Sequence, residues 1–144
     1  MVRTFVSLDE HLQGVLDALD GVVPFPVGDG ERPKNAQEQF VDPPFAVVRL
    51  FTSAEEFTGP LNDTQQDVVI RFQIVGVGNT QTQAVVAQDV CRQQLRDKSN
   101  IIVTGRSVRD SRLMIASNGA YRDDDLPTPV FYCYDIWEID TVSL

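Results

Sequence analysis

Residues 67–95 constrain the fold of this chain more than any other stretch. In 67–77, Val68, Ile70, Phe72 and Ile74 fall on one side and Arg71 and Gln73 on the other. That period of two predicts a half-buried antiparallel strand. Gly76 and Gly78 loosen its end, and after Asn79 the period changes. Ala84, Ala87, Val90, Cys91 and Leu95 recur at helical spacing, with Val86 beside them, which predicts a helix over 80–95. Thr80 and Gln83 have the spacing of a capping box, in which each side chain satisfies an amide at the helix start. Arg92, Arg96 and Lys98 sit near its end, where the helix dipole favours cations.

The other elements follow by the same reading. A first helix is predicted over Leu8–Leu19, with Leu8, Leu12, Val15, Leu16 and Leu19 on one face. Ser7 and Glu10 form its capping box and Gly21 its stop. Residues 22–27 are an edge strand at most, because Pro24 and Pro26 cannot donate to a ladder. Residues 28–44 are a polar loop in which Phe40 and Val41 are apolar islands, and loops of that length are usually functional or disordered. A strand follows over 45–52, then a second loop over 53–64 exposing Phe57. Residues 101–104 read as a short strand. Residues 106–115 fit either a helix or a strand, and 117–129 form a turn-rich link. The last strand, 130–142, has Tyr132, Tyr134 and Ile136 on one face and Phe131, Cys133, Trp137 and Ile139 on the other. Two apolar faces argue a central position in the sheet.

At 144 residues the chain makes one domain, 1–144. No apolar run reaches the roughly 20 residues of a spanning helix, and the start lacks the apolar core of a signal peptide. A soluble protein made in a cytoplasm is the expectation, with Cys91 and Cys133 as reduced, buried thiols. Asp and Glu number 21 against 12 Lys and Arg, for a net charge of −9. Such a chain does not bind nucleic acid by counterion release.

Catalytic signatures are weak. His11 is the only histidine, placed between polar positions of the first helix, where a solvated side chain is expected. With two widely spaced cysteines it makes no four-ligand zinc set. Gly76-Val77-Gly78 lies at a strand–helix junction as a dinucleotide-binding turn would, but position 81 is Gln, and a turn-permitting role is the better reading. Asp123-Asp124-Asp125 lacks the spacing of an EF-hand loop. No enzyme, metal or cofactor is expected. Arg106, Arg109 and Arg112 are spaced by three. On a helix they would line one face and on a strand they would alternate. Scattered surface arginines and a solvated acidic turn are the plainer reading; the sharper alternative is pairing with Asp123, Asp124 and Asp125 of a neighbouring copy in a charge-matched seam.

The order of elements, with two stretches above all, resembles the tail terminator proteins of long-tailed phages, also called tail-completion or minor tail proteins. The stretches are Asp67-Val68-Val69-Ile70-Arg71-Phe72-Gln73-Ile74-Val75-Gly76 running into Ala84-Val85-Val86-Ala87, and Pro129-Val130-Phe131-Tyr132-Cys133-Tyr134-Asp135-Ile136-Trp137-Glu138. The resemblance covers nearly the whole chain as a pattern of elements. It implies an α+β fold, with two main helices packed on a mixed, largely antiparallel sheet. It implies a virion protein forming a homo-hexameric ring that caps the tail tube and joins it to head-completion (neck) proteins, with DNA passing through the lumen unbound. Phe40, Val41 and Phe57 would then contact partners from their loops. Two alternatives stay open. One is another head–tail connector, neck or tail tube subunit. The other, of a different class, is a small acidic dimeric ligand-binding or regulatory domain.

Overall fold

The computed structural model describes residues 8–50, 68–117, 119–124 and 130–143. The elements run α1 (Leu8–Leu19), β1 (Val27–Asp29), β2 (Phe45–Leu50), β3 (Val68–Gly78), α2 (Gln81–Arg96), a 3-10 turn (Lys98–Asn100), β4 (Arg106–Ala116), β5 (Tyr121–Asp123) and β6 (Val130–Ser143). The fold is α+β: two helices on a six-stranded sheet of order β1-β2-β3-β6-β4, with β5 also paired to β6. Only the β1–β2 pair is parallel.

The centre of the sheet is the β3–β6 pair, in register from Val68 opposite Thr141 to Gly78 opposite Phe131. Both helices cover one face. Val15, Leu16 and Leu19 of α1 and Cys91 and Leu95 of α2 close over Ile70, Phe72 and Ile74 of β3 and over Trp137 and Ile139 of β6. The expected alternation of β3 is therefore realised, with Val68, Ile70, Phe72 and Ile74 fully buried. Trp137 is also buried, and its indole Nε1 has no hydrogen-bond partner among the described residues.

Local chemistry explains where the elements start and stop. Thr80 is the N-cap of α2, its side chain accepting from Gln83 N at 3.1 Å. The return bond goes one residue further back than the ideal box: Gln83 Oε1 accepts from Asn79 N at 2.6 Å. α1 ends in a backbone turn at Gly21, where φ is +78° and both Val22 N and Val23 N donate to Leu19 O. Its expected cap, Ser7, lies outside the described residues.

Several expectations are corrected. Residues 101–104 form no strand. Ile101 and Val103 are instead buried anchors of an irregular link beneath α1. Of 22–27 only Val27 enters a strand: residues 22–25 run through a turn and bends, and Pro24 and Pro26 have no N–H to give a ladder. Residues 106–115 are a strand, and the turn-rich link contains β5. The 28–44 loop is ordered by its own bonds, including a bridge between Lys34 and Phe40.

Gly76 and Gly78 have a packing role rather than a turn role, and neither has a positive φ. A Cβ on Gly78 would lie 2.4 Å from Ala84 N, and one on Gly76 would lie 3.0 Å from Gln88 N. The first two turns of α2 therefore rest directly on the backbone of β3, and the G-x-G fragment is consumed by that approach. Gly78→Ala is expected to cost about 1–3 kcal/mol by overpacking, read as a lower urea midpoint. A loss below ~0.5 kcal/mol would mean that α2 can lift away freely.

Candidate assembly surface

The surface that faces away from the helices is positioned from beneath by one polar contact. Asp135 points from β6 into the helix layer and is fully buried. Arg92 of α2 grips it with two bonds, Nε to Oδ2 at 2.8 Å and Nη2 to Oδ1 at 2.8 Å. Gln88, one helical turn earlier, donates to Oδ1 at 2.7 Å. A planar guanidinium on a planar carboxylate fixes orientation as well as distance. The hydrogen bond from Arg92 to Asp135 pushes the guanidinium further toward its charged form. Cys91 and Cys133 are free thiols close to this clamp. Burial, with the Asp135 charge, pushes the Cys91 thiol up to about 12, so it carries no thiolate at neutral pH.

A second buried polar contact ties α1 down and overturns the expectation for His11. Its side chain is buried, with Nε2 2.8 Å from Thr141 Oγ1 on β6. The same hydroxyl accepts from Arg106 Nε at 2.9 Å. The expected solvated position is overturned because the helix is rotated so that His11 continues the buried Val15 and Leu19 stripe.

The face opposite the helices carries a ladder of ion pairs across three strands. Glu138 of β6 sits between Arg71 of β3, whose Nε is 3.3 Å away, and Arg112 of β4. Arg112 also meets Asp110 at 2.7 Å, and Arg109 meets Asp140 at 3.2 Å. Burial raises the Glu138 carboxyl, but the hydrogen bonds from Arg112 and Arg71, with their charges, outweigh it and hold the group below its ordinary value.

The three predicted arginines thus lie on a strand, yet they do not simply alternate. A β-bulge between Val108 and Asp110 inserts one residue, and a second lies between Leu113 and Ile115. The first bulge turns Arg109 to the same face as Arg112, while Arg106 stays on the helix side. All three bond within their own chain, to Thr141, Asp140 and Glu138. Asp123 and Asp124 sit at and just beyond β5, where Asp124 pairs with Arg122 at 2.6 Å. The structure does not bring the arginines to them within one chain. Asp125 and Phe57 lie outside the described residues.

The two ends of the sheet differ in character. Between β1 and β2 the chain forms a knuckle: Arg32 donates twice to Val41 O, at 2.9 and 2.6 Å. Asn35 Oδ1 accepts from Gln37 N and Gln39 N. Its tip is Phe40, 57% exposed, with Arg32 and Lys34 over its ring at 5.7 and 5.1 Å. Val41 turns inward onto Phe45, Val47 and Val77. At the other end, Tyr121 of β5 lies against Tyr132 and Tyr134 of β6 at 5.6 and 6.2 Å. Met114 and Ile115 of β4 are exposed as well.

Neither any protein-family model nor any curated protein matches the chain. The geometry itself therefore has to carry the functional reading. Sequence reasoning missed the Asp135 clamp. The signal was present, however: one carboxylate in an otherwise apolar strand, and Gln88 and Arg92 four residues apart on the helix predicted to cover it.

Two measurements check these contacts. Arg92→Met strands a fully buried carboxylate and is expected to cost about 3–5 kcal/mol. Asp135→Asn keeps the packing and leaves an Arg92 side chain that is 23% exposed, so its cost is smaller. Equal losses in urea unfolding would contradict the clamp. For Glu138 the folded value lies below the unfolded one, near 4.3. Its stabilisation is therefore present above that unfolded value and disappears as pH falls through the folded one. The stability gap between the wild type and Glu138→Gln should close on acidification below pH of about 4. A gap constant from neutral to acid pH would show that the ladder does not act through this charge.

Proposed function

We propose that this chain is a structural subunit of a phage tail: six copies form a ring that caps the tail tube and joins it to the head-completion proteins. The observation that supports this best is the agreement between the fold and the element order. An amphipathic helix, a long loop and a strand, an alternating strand running into an Ala- and Val-bearing helix, and a long aromatic C-terminal strand build an α+β unit with helices packed on a mixed, largely antiparallel sheet, as the resemblance implies. The helices occupy one face. Val41 of the 28–44 loop covers the start of β2 and the end of β3 on the other face, and among the described residues the ion-pair ladder on that face is partly exposed.

The charge of the chain suits the proposed channel. Each subunit would bring a net charge of −9 to the ring, and like charge keeps passing DNA from sticking to a wall. The role proposed is mechanical, with the knuckle at Phe40 as a contact for tube or neck proteins. The alternative of a ligand-binding domain has two cavities to consider: a cleft of about 470 Å³ at Arg122, Asp123, Asp124 and Tyr132, polar where ligand pockets are mostly apolar, and an apolar slot at Pro24, Phe25, Pro44, Val86, Ala87 and Val90. At about 160 Å³ the slot falls short of the roughly 300–1,000 Å³ of ligand pockets.

Light scattering across protein and salt concentrations tests the proposal. A species of six times 16.1 kDa, alone or on addition of tail tubes, is expected. A dimer that stays a dimer under both conditions would overturn it in favour of the ligand-binding alternative.

A further inference from the structure

The sequence holds two Asp-Gly pairs, Asp20-Gly21 and Asp29-Gly30. Both are exposed, but their backbones are held very differently. In such a pair no side chain on the glycine shields its amide, and that nitrogen can close on the preceding carboxyl. The Asp29 pair is restrained against this. Asp29 is the last residue of β1, paired with Val48, and Gly30 N donates to Val48 O at 2.7 Å. A nitrogen engaged in that bond cannot swing onto its neighbour's side chain without opening the end of the β1–β2 pair.

The Asp20 pair has no such restraint. It forms the turn that ends α1, and the bonds that close this turn pass around it. Asp20 N donates to Leu16 O, and Val22 N and Val23 N both donate to Leu19 O. Between them, Gly21 N has no acceptor among the described residues. Gly21 also stands clear of its surroundings, with nothing within 4 Å of the position a Cβ would take, and glycine passes between backbone conformations at little cost. Charge adds a drive. The last turn of α1 holds no basic residue, so the Asp20 carboxylate stands at the negative end of the helix dipole without a cation in that turn. Closing the ring removes that charge.

We infer that Asp20-Gly21 is a self-modification site, where the folded chain converts Asp20 to isoaspartate while Asp29 is spared. Gly21 N attacks Asp20 Cγ. The N–Cγ bond forms, the Cγ–OH bond breaks, and the amide proton leaves with that hydroxyl as water. Water then adds to the resulting succinimide. Opening at the side-chain carbonyl restores aspartate. Opening at the main-chain carbonyl routes the backbone through the side chain and lengthens it by one methylene. Water is the only co-reactant. The consequence falls on the stop of α1: Leu19 and Val23, on either side of the pair, are both buried, and an extra backbone carbon between them puts these two anchors out of step. The inference is independent of the ring proposal.

The test is to age the folded protein for weeks in warm neutral buffer and to separate aspartate from isoaspartate at each position by electron-transfer fragmentation of its peptides. Isoaspartate should accumulate several times faster at Asp20 than at Asp29, preceded by a species one water lighter. The same chain aged in urea should convert the two pairs at comparable rates, because the sheet bond at Gly30 is then gone. Equal rates in the folded protein, or Asp29 ahead of Asp20, would overturn the inference. Asp20→Glu, in which closure needs a larger ring, should stop the reaction at this position. On ageing, the urea midpoint of the wild type should fall below that of the Asp20→Glu variant aged alongside it. Identical shifts in the two proteins would overturn the consequence drawn for α1.

Discussion

The buried carboxylate of Asp135 is the contact on which the arrangement of this protein depends. A charge taken wholly out of water is tolerated only where its oxygens are satisfied. Arg92 and Gln88, both on α2, supply three donors at 2.7–2.8 Å. Hydrophobic burial alone would hold α2 against the sheet in several rotations of similar energy. The guanidinium–carboxylate geometry selects one of them. The close approach at Gly76 and Gly78 fixes the height of the same helix over β3. His11 and Thr141 then hold α1 against the far end of β6. The central strand is thus gripped at both ends by polar contacts set in an apolar layer.

That rigidity has a consequence for the opposite face. β6 presents Glu138 and Asp140 there, and the bulges of β4 turn Arg109 and Arg112 to meet them. Glu138 is buried between arginines that are partly exposed, so the ladder combines one sheltered charge with water-facing partners. Their effect is to keep that part of the sheet face hydrated and unattractive to another flat face. Under the ring proposal, neighbours meet along the edges of the sheet through a heterologous contact that closes.

Much of the fold was legible in the sequence because its signals were periodic. The alternation of Val68, Ile70, Phe72 and Ile74 and the two apolar faces of β6 located the sheet centre, and Thr80 located the start of α2. The misreadings share one cause. His11, residues 101–104 and the arginines of β4 depend on how a segment is rotated or bulged against its neighbours, and local composition does not encode that. Ile101 and Val103 looked like strand residues because they are apolar and β-branched, yet they serve as plugs under α1. The 28–44 loop looked loose because it is polar. Its order comes from pairings such as Arg32 with Val41, nine residues apart, which no window of periodicity reveals. Of the candidate contacts, Phe40 stands exposed at a fixed tip, while Val41 beside it is turned into the molecule.

Electron micrographs of the purified protein, alone and on isolated tail tubes, test the central claim most directly, because they display symmetry rather than mass. The account predicts closed rings with six-fold symmetry and an open centre, seated at the end of the tube. Compact two-fold particles without a central opening, unchanged by the presence of tubes, would contradict it.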